Sequence, residues 1–248
     1  MTFLQYLKRL HLLIGLGSRG NTAKPGTVPT QSAGQVDELA ELVEWGIMGL
    51  TNFQMLHPWG WLIRPGTLAF TTGDPQVVPT ATLTNFRELV PFKDGLRKYL
   101  LSYITANGST AEQRVYEVPW DQFRGYLDRA DVQSGRPLYY TMTPDNEMRV
   151  YPTPDQGYTV RFDYLYKPKI YTTSDDALNL EDYPTVDNGG NTVAGRGLPP
   201  EHQEAAVWYA IRYWAETRGK VDTYQMADKR VRELLGPLKL RYLPTARI

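Results

Sequence analysis

Residues 135–168 constrain the fold more than any other stretch, because extended runs alternate there with turn chemistry. Residues 138–143 read as a first strand. Pro144, Asp145 and Asn146 follow as a tight turn: Pro fixes φ, and Asp and Asn tolerate the bend. Residues 148–151 read as a second strand, 152–157 as a wider turn and 158–166 as a third strand. In that third run Tyr158, Val160, Phe162, Tyr164 and Tyr166 alternate with Thr159, Arg161 and Asp163. A period of two puts one face on a core and the other in water, and the spacing predicts a three-strand antiparallel meander. Such a meander is near the lower limit of independent stability, so other elements have to cover its apolar face.

The flanking segments are helical. Thr2 is placed as an N-cap before Phe3, Leu4, Leu7, Leu10 and Ile14, and this helix is expected to stop near Gly15. Residues 17–31, rich in Gly, Pro, Ser and Thr, read as an irregular loop. Ser32 is read as the cap of a second helix, with Gln35 completing a capping box. Val36, Leu39, Ala40, Val43, Ile47 and Leu50 form one apolar stripe, and Leu42, Trp45 and Met48 a second beside it. Pro58 is expected to end this helix. At over about 20 residues it exceeds the usual length of about 11–12. Two stripes imply cover on more than one side.

Residues 62–71 open a β region, with further strands expected at 76–79, 86–92, 96–105 and 112–118. Asp94-Gly95 and Asn107-Gly108 read as hairpin turns. A short helix from Pro119 carries Trp120, Phe123, Tyr126 and Leu127 on one side. Residues 170–197 have little periodicity and read as a long loop. Pro199, Pro200 and Glu201 head a fourth helix, so apolar that it has to be deeply packed, and Gly219 closes it. A fifth helix carries Tyr224, Ala227, Val231, Leu234, Leu235 and Leu238, and Pro237 is expected to bend or end it. The expected class is α+β: an antiparallel bundle of the N- and C-terminal helices (1–60 and 198–240), an inserted antiparallel β lobe with one short helix (61–170), a long loop (171–197) and an extended C-terminal tail (241–248).

Several function classes find no footing. Basic and acidic residues number 27 each, so no whole-molecule attraction to nucleic acid or anionic lipid is expected. The chain has no cysteine, which excludes disulfides and thiolate-bound metals. No apolar run approaches the roughly 18 residues of a membrane span. Lys8 and Arg9 lie inside an amphipathic pattern with no small-residue cleavage site, so the N-terminus reads as a helix rather than a signal peptide. Gly15-Leu16-Gly17-Ser18-Arg19-Gly20 fits a dinucleotide fingerprint in letters only, because a helix precedes it and a loop follows. His11, His57 and His202 lack metal-ligand spacing. Asp145, Asp155, Asp175, Asp176, Glu181 and Asp182 read as solvated turn acids. Asn107-Gly108-Ser109 matches a glycosylation sequon, but a hairpin turn accounts for it. Arg9, Arg97, Lys98, Arg114, Arg124, Arg129 and Arg136 look scattered, with no basic aromatic platform of the kind that binds single strands. No catalytic residue, cofactor site or metal site is assigned. The 17 tyrosines and 6 tryptophans suit protein–protein contacts as well as sheet packing.

Across nearly its full length the layout resembles the head-to-tail connector adaptor, or neck, proteins of tailed, mostly short-tailed, bacteriophages. The segment Asn52-Phe53-Gln54-Met55-Leu56-His57-Pro58-Trp59-Gly60-Trp61 carries part of the resemblance, as do Val118-Pro119-Trp120-Asp121-Gln122-Phe123-Arg124 and Gly135-Arg136-Pro137. Tyr151-Pro152-Thr153-Pro154, Tyr164-Leu165-Tyr166-Lys167-Pro168 and Leu198-Pro199-Pro200-Glu201-His202 complete it. The Asp/Gly-rich insert before Leu198 departs from the family pattern. The resemblance implies a non-enzymatic virion protein of the neck, assembled in the host cytoplasm. It implies a homo-oligomeric ring, usually of twelve copies, with portal above, tail, nozzle or tail-fibre proteins below, and duplex DNA passing through the lumen unbound. Neither cofactor nor membrane is implied. The alternative is a carbohydrate-binding or glycan-cleaving tail accessory, which needs a groove lined by Trp59, Trp61 or Trp120 beside paired carboxylates.

Three sets of residues follow as candidates. Leu42, Trp45 and Met48 are expected to touch a neighbouring subunit or the bundle. Leu238, Leu240, Arg241, Tyr242, Leu243 and Arg247 lie in a segment from Pro237 that is expected to leave the bundle and dock on the portal, against a frayed terminus as the plain alternative. Glu38, Glu41 and Glu44 form an acidic stripe that either lines the channel and repels the duplex or is an ordinary solvated helix face.

Overall fold

The computed structural model describes residues 1–17, 29–34, 37–83, 85–127, 133–168, 170–180, 185–186, 192–193 and 198–242. They divide into two compact units, one built from Met1–Leu62, Pro168–Thr185 and Thr192–Thr245, the other around Ile63–Lys167. The fold is α+β. The first unit holds helices α1 (Phe3–Gly17), α2 (Asp37–Met55), α5 (Gln203–Thr217) and α6 (Val221–Tyr242); α3 (Pro79–Thr82) and α4 (Trp120–Leu127) belong to the second.

In the first unit α5 packs against α1, α2 and α6. Its Ala205, Ala206, Val207, Tyr209, Ala210, Ile211 and Ala215 are buried, as expected of a helix apolar on most sides. The α2–α5 contact is unusually close because α2 offers glycine. A Cβ placed on Gly49 would lie 2.4 Å from the Ala210 Cβ and 2.6 Å from its Cα, and one on Gly46 would lie 2.5 Å from Leu7 Cδ2. The buried face of α2 is therefore Leu42, Val43, Gly46, Gly49, Leu50 and Phe53, while Leu39, Ala40 and Ile47 of the expected main stripe are only half-buried. Counting large apolar residues misplaces the face when backbone approach decides it.

Thr2 and Gln5 make a reciprocal capping box at the start of α1: the Gln5 N–H donates to Thr2 Oγ1 (3.2 Å) and the Thr2 N–H to Gln5 Oε1 (2.8 Å). The Tyr6 hydroxyl donates to the Gly46 carbonyl at 3.0 Å, and complete burial pushes that phenol far above its usual pKa. Tyr6→Phe is expected to lower the stability of this unit by about 0.5–1.5 kcal/mol, read as a drop in the urea midpoint with unchanged slope.

Ser32 corrects the expected helix cap. It is buried, its N–H donates to Asp176 Oδ2 and its Oγ to the Thr173 carbonyl, each at 2.9 Å, while α2 begins only at Asp37. Gln35 and Val36 lie outside the described residues. The partner segment 170–180 also receives the Phe3 N–H on the Leu178 carbonyl (2.9 Å) and the Leu4 N–H on the Asp176 carbonyl (3.3 Å), so it satisfies first-turn donors of α1. Asp175 accepts from the Thr172 N–H (2.8 Å) and Oγ1 (3.0 Å). Asp175 and Asp176 are thus structural acceptors, not the solvated turn acids expected.

Helix α6 runs through Pro237 to Tyr242, against the expectation that the chain leaves the bundle there. Two features offset the proline's cost of about 3 kcal/mol. Gly236 brings no Cβ against the proline ring, and Leu238 just beyond is 2% exposed.

The second unit is a nine-stranded sheet: β1 (Ile63–Phe70), β2 (Gln76–Val77), β3 (Phe86–Val90), β4 (Phe92–Asp94), β5 (Arg97–Ile104), β6 (Gln113–Glu117), β7 (Tyr139–Met142), β8 (Met148–Tyr151) and β9 (Tyr158–Tyr166). Its order is β1-β9-β5-β6-β7-β8-β2, with β3 on β9 and β4 on β5. All five even positions of β9 are buried, as the alternation predicts, but Thr159 and Leu165 are buried as well.

The sheet departs from the sequence reading in three places. First, β7 and β8 pair, but β8 does not continue onto β9: β1 takes one edge of β9, and β5 and β3 share the other. The segment 152–157 does not close a hairpin because its backbone bonds elsewhere, the Pro154 carbonyl accepting from Gly73 (2.8 Å) and the Gly157 carbonyl from Thr105 (3.0 Å). Second, the lobe is mixed, since β6 and β7 are parallel. Helix α4 supplies the crossover that a parallel pair requires. Third, Asn107-Gly108 lies in a 3-10 turn, Thr105–Ala111, rather than a two-residue hairpin loop. Arg136 pins that turn by donating to the Ser102 and Ala111 carbonyls, each at 2.6 Å. Within the expected long loop, Thr185–Val186 and Thr192–Val193 are short strands.

Candidate functional site

The expected contact residues divide along α2. Leu42 is buried inside its own unit at 6% exposure, Trp45 is half-buried, and Met48 stands 40% exposed one turn on. Met55 and Leu56 at the C-terminal end of α2 are exposed too. Of the acidic stripe, Glu41 is exposed and ion-paired with Arg218, which follows α5, and Glu44 is exposed; the Glu38 side chain lies outside the described residues. The stripe is therefore partly neutralised within the chain.

The expected portal-binding residues occupy the last turns of α6 and beyond. Leu238 is buried and so is removed from any docking surface, whereas Leu240 is 89% exposed and Arg241 is exposed. Tyr242 closes the helix, and Leu243 and Arg247 lie outside the described residues.

The tryptophans that a glycan groove would need are largely withdrawn. Trp59 and Trp61 are buried and stack at 4.7 Å, with His57 edge-on to Trp59 at 5.0 Å and His202 stacked on Trp61 at 6.1 Å. Trp59 Nε1 donates to the Phe53 carbonyl at 3.1 Å. Burial first, and the Lys239 charge second, lower the His57 pKa below its ordinary value. Two of the three histidines are thus ring partners of Trp59 and Trp61, one edge-on and one stacked. Among the described residues, no group of three or more His, Asp or Glu side chains could hold a metal ion, and no helix is long and apolar enough to cross a membrane.

Sequence reasoning missed a half-buried aromatic row on the sheet. Phe92, Tyr99, Tyr116, Tyr139 and Tyr151 are register partners across β4, β5, β6, β7 and β8, and form one aromatic row on the sheet. Ring centroids are 5.7 Å apart for Phe92–Tyr99 and 6.4 Å for Tyr99–Tyr116. From α4, Tyr126 covers one end, stacking on Tyr139 (5.6 Å) and Tyr151 (5.2 Å). At the open end Arg114 lies over Tyr99 at 4.7 Å and Arg97 over Tyr116 at 5.8 Å. Cations that look scattered in sequence are thus gathered on aromatic rings by strand pairing. Of the rest, Arg124 is exposed and Arg129 lies outside the described residues. No sequence periodicity announces such a row, because register is a pairing property.

No curated protein matches this chain. The SU10 adaptor protein family model matches residues 27–245, which takes in most of the chain and both units. A match of this extent goes with the distributed landmarks from the end of α2 to the head of α5, and the chain belongs to the SU10 adaptor protein family, a family of phage head–tail adaptors.

Proposed function

We propose that this chain is a structural virion protein that assembles as a ring of twelve copies between portal and tail, at the neck of a tailed phage. The observation that carries the reading is the family match across residues 27–245. In this reading α1, α2, α5 and α6 form an antiparallel bundle that builds the ring body, duplex DNA passes through the lumen without specific binding, and the role is non-catalytic. Assembly takes place in the host cytoplasm, with nozzle, tail or tail-fibre proteins docking below.

Two further features support it. The chain balances 27 basic against 27 acidic residues, which suits a conduit better than a clamp. It also leaves apolar side chains in water, Met48 within α2, Met55 and Leu56 at and just past its end, and Leu240 near the end of α6. We assign Met48 and the edge of Trp45 to the subunit contact, and Leu240 and Arg241, with residues 243–248, to the portal contact. Glu41 and Glu44, with Glu38, remain assigned to the lumen.

Met48→Glu is the cleaner probe of the subunit contact, because Trp45 is half-buried and its replacement would also disturb folding. The variant is expected to keep its far-ultraviolet circular dichroism and to lose at least about tenfold in self-association on the portal. Circular dichroism reads the first, and sedimentation velocity with purified portal rings reads the second. Normal assembly of Met48→Glu would exclude this face. A filter-binding titration at low salt checks the conduit: tight, salt-sensitive retention of duplex DNA by assembled rings would favour a clamp instead.

A further inference from the structure

We infer that α2 of one copy packs in parallel on α6 of the next copy. The inference rests on the ring reading above and names the two faces that close it. A closed ring of more than two copies joins two different patches of each chain, one meeting the other on its neighbour. The helical unit offers two such patches. Helix α5 packs against both α2 and α6, and each of these leaves a face in water on the side away from it. On α2 the face is Glu41, Glu44, Trp45, Met48, Asn52 and Met55, with Trp45 and Asn52 half-buried and the rest exposed. On α6 it is Met226, Lys229, Glu233, Gly236 and Leu240, all exposed, Met226 by 48%. Both sets recur at three or four residues, the spacing of a helix-packing seam.

Direction and register follow from closure. Neighbours in a ring of twelve are turned by only about 30°, so their helices keep the relative direction they have within one copy. With α2 and α5 antiparallel, as proposed above, Gly49 lies against Ala210 and Glu41 pairs with Arg218. After Gly219 the chain turns back along α5, and Arg212 meets Asp228 at 3.4 Å. Helices α2 and α6 thus run the same way, with Met48 level with Lys229 and Met55 level with Gly236. A ring has no rise between copies, so for helices along its axis these levels meet. Met226 then falls beside Trp45 and Met48. Met55 falls over Gly236, where a Cβ would meet nothing within 4 Å, so the methionine has room. Leu240 lies past the level where α2 ends and stays free for the portal. Charge favours this pairing over two α2 faces. Helix α2 has four acids and no Lys or Arg, whereas α6 has five basic residues against three acids. Lys229 is exposed, has no acid partner among the described residues, and stands one turn from the level of Glu44 at the luminal rim. Two α2 faces together would set Glu44 against Glu44, which disfavours that partner.

The chain has no cysteine, so single substitutions give clean cross-linking sites. Full-length Met48→Cys and Met226→Cys are prepared separately, mixed in equal amounts with portal rings and treated with a short bismaleimide. Both positions are exposed, so the fold is expected to stay intact. The mixture is expected to give covalent dimers joining the two positions at least about tenfold above what either variant gives alone. A chain carrying both substitutions is expected to give a ladder of multimers that ends at the closed ring. Sedimentation velocity of the same samples shows whether rings stand on the portal. Rings without the product joining the two positions, or either variant cross-linking to itself as readily as the mixture does, would overturn the proposal. That product without portal-bound rings would uphold the contact and contradict the ring. Neither rings nor product would overturn both.

Discussion

Gly49→Leu is expected to unfold the helical unit under conditions where the parent chain is fully folded. The Ala210 backbone stands 2.6 Å from where the first new carbon would go, and backbone in the centre of a helix cannot step aside as a side-chain end can. Gly49→Ala separates the two terms involved. Helix propensity returns about 1 kcal/mol. Overpacking costs about 1–3 kcal/mol. A net loss of up to about 2 kcal/mol is expected for Ala and about 3 kcal/mol or more for Leu. Gly125 in α4 is the control, since a Cβ there meets nothing within 4 Å, and Gly125→Ala is expected to raise stability by about 0.5–1 kcal/mol. Urea midpoints with a common slope read all three. A neutral Gly49→Leu would mean that α2 and α5 are not in this close contact.

Trp59→Ala carries the second large expected effect, a loss of about 3–5 kcal/mol from a buried aromatic. Trp59 is fully buried between Phe53 at 5.8 Å and Trp61 at 4.7 Å. Its removal also takes the indole N–H from the Phe53 carbonyl at the end of α2. Trp59→Phe keeps most of the contact area and loses only the hydrogen bond, so about 1–2 kcal/mol is expected. Thermal unfolding followed by circular dichroism distinguishes the two, because the effect should scale with ring contact. Equal losses for Ala and Phe would point to the hydrogen bond alone as the anchor.

What the sequence discloses and what it hides follow from the range of the interactions. Alternation in 158–166, apolar spacing from Phe3 onward and the proline-headed helix at 200 are local signals, and strands and helices stand there. Pairing is not local. Tyr99 and Tyr116 lie far apart in the chain and opposite each other in the sheet, so the aromatic row and its two arginines become visible only with register. Ser32 sits before an acidic amphipathic run and reads as a cap, but two groups of the 170–180 segment outbid the helix for it. Gly46 and Gly49 carry no hydrophobic weight, yet they set where α2 is buried. The signal that was available is two small residues three apart within an apolar helix, the mark of close helix approach. Pro237 shows the opposite error, a local breaker overridden by a flexible neighbour at Gly236 and a buried Leu238.

We propose above that this member of the adaptor family works as a ring on the portal. Single-particle imaging of the purified chain mixed with portal rings of its own phage tests it most directly. Twelve copies seated on the portal, with the Met48 face at the contact between neighbouring subunits and an open lumen along the axis, is the predicted result. Portal rings left bare beside monomeric protein, or copies bound singly at the portal rim with no contact among themselves, would contradict it.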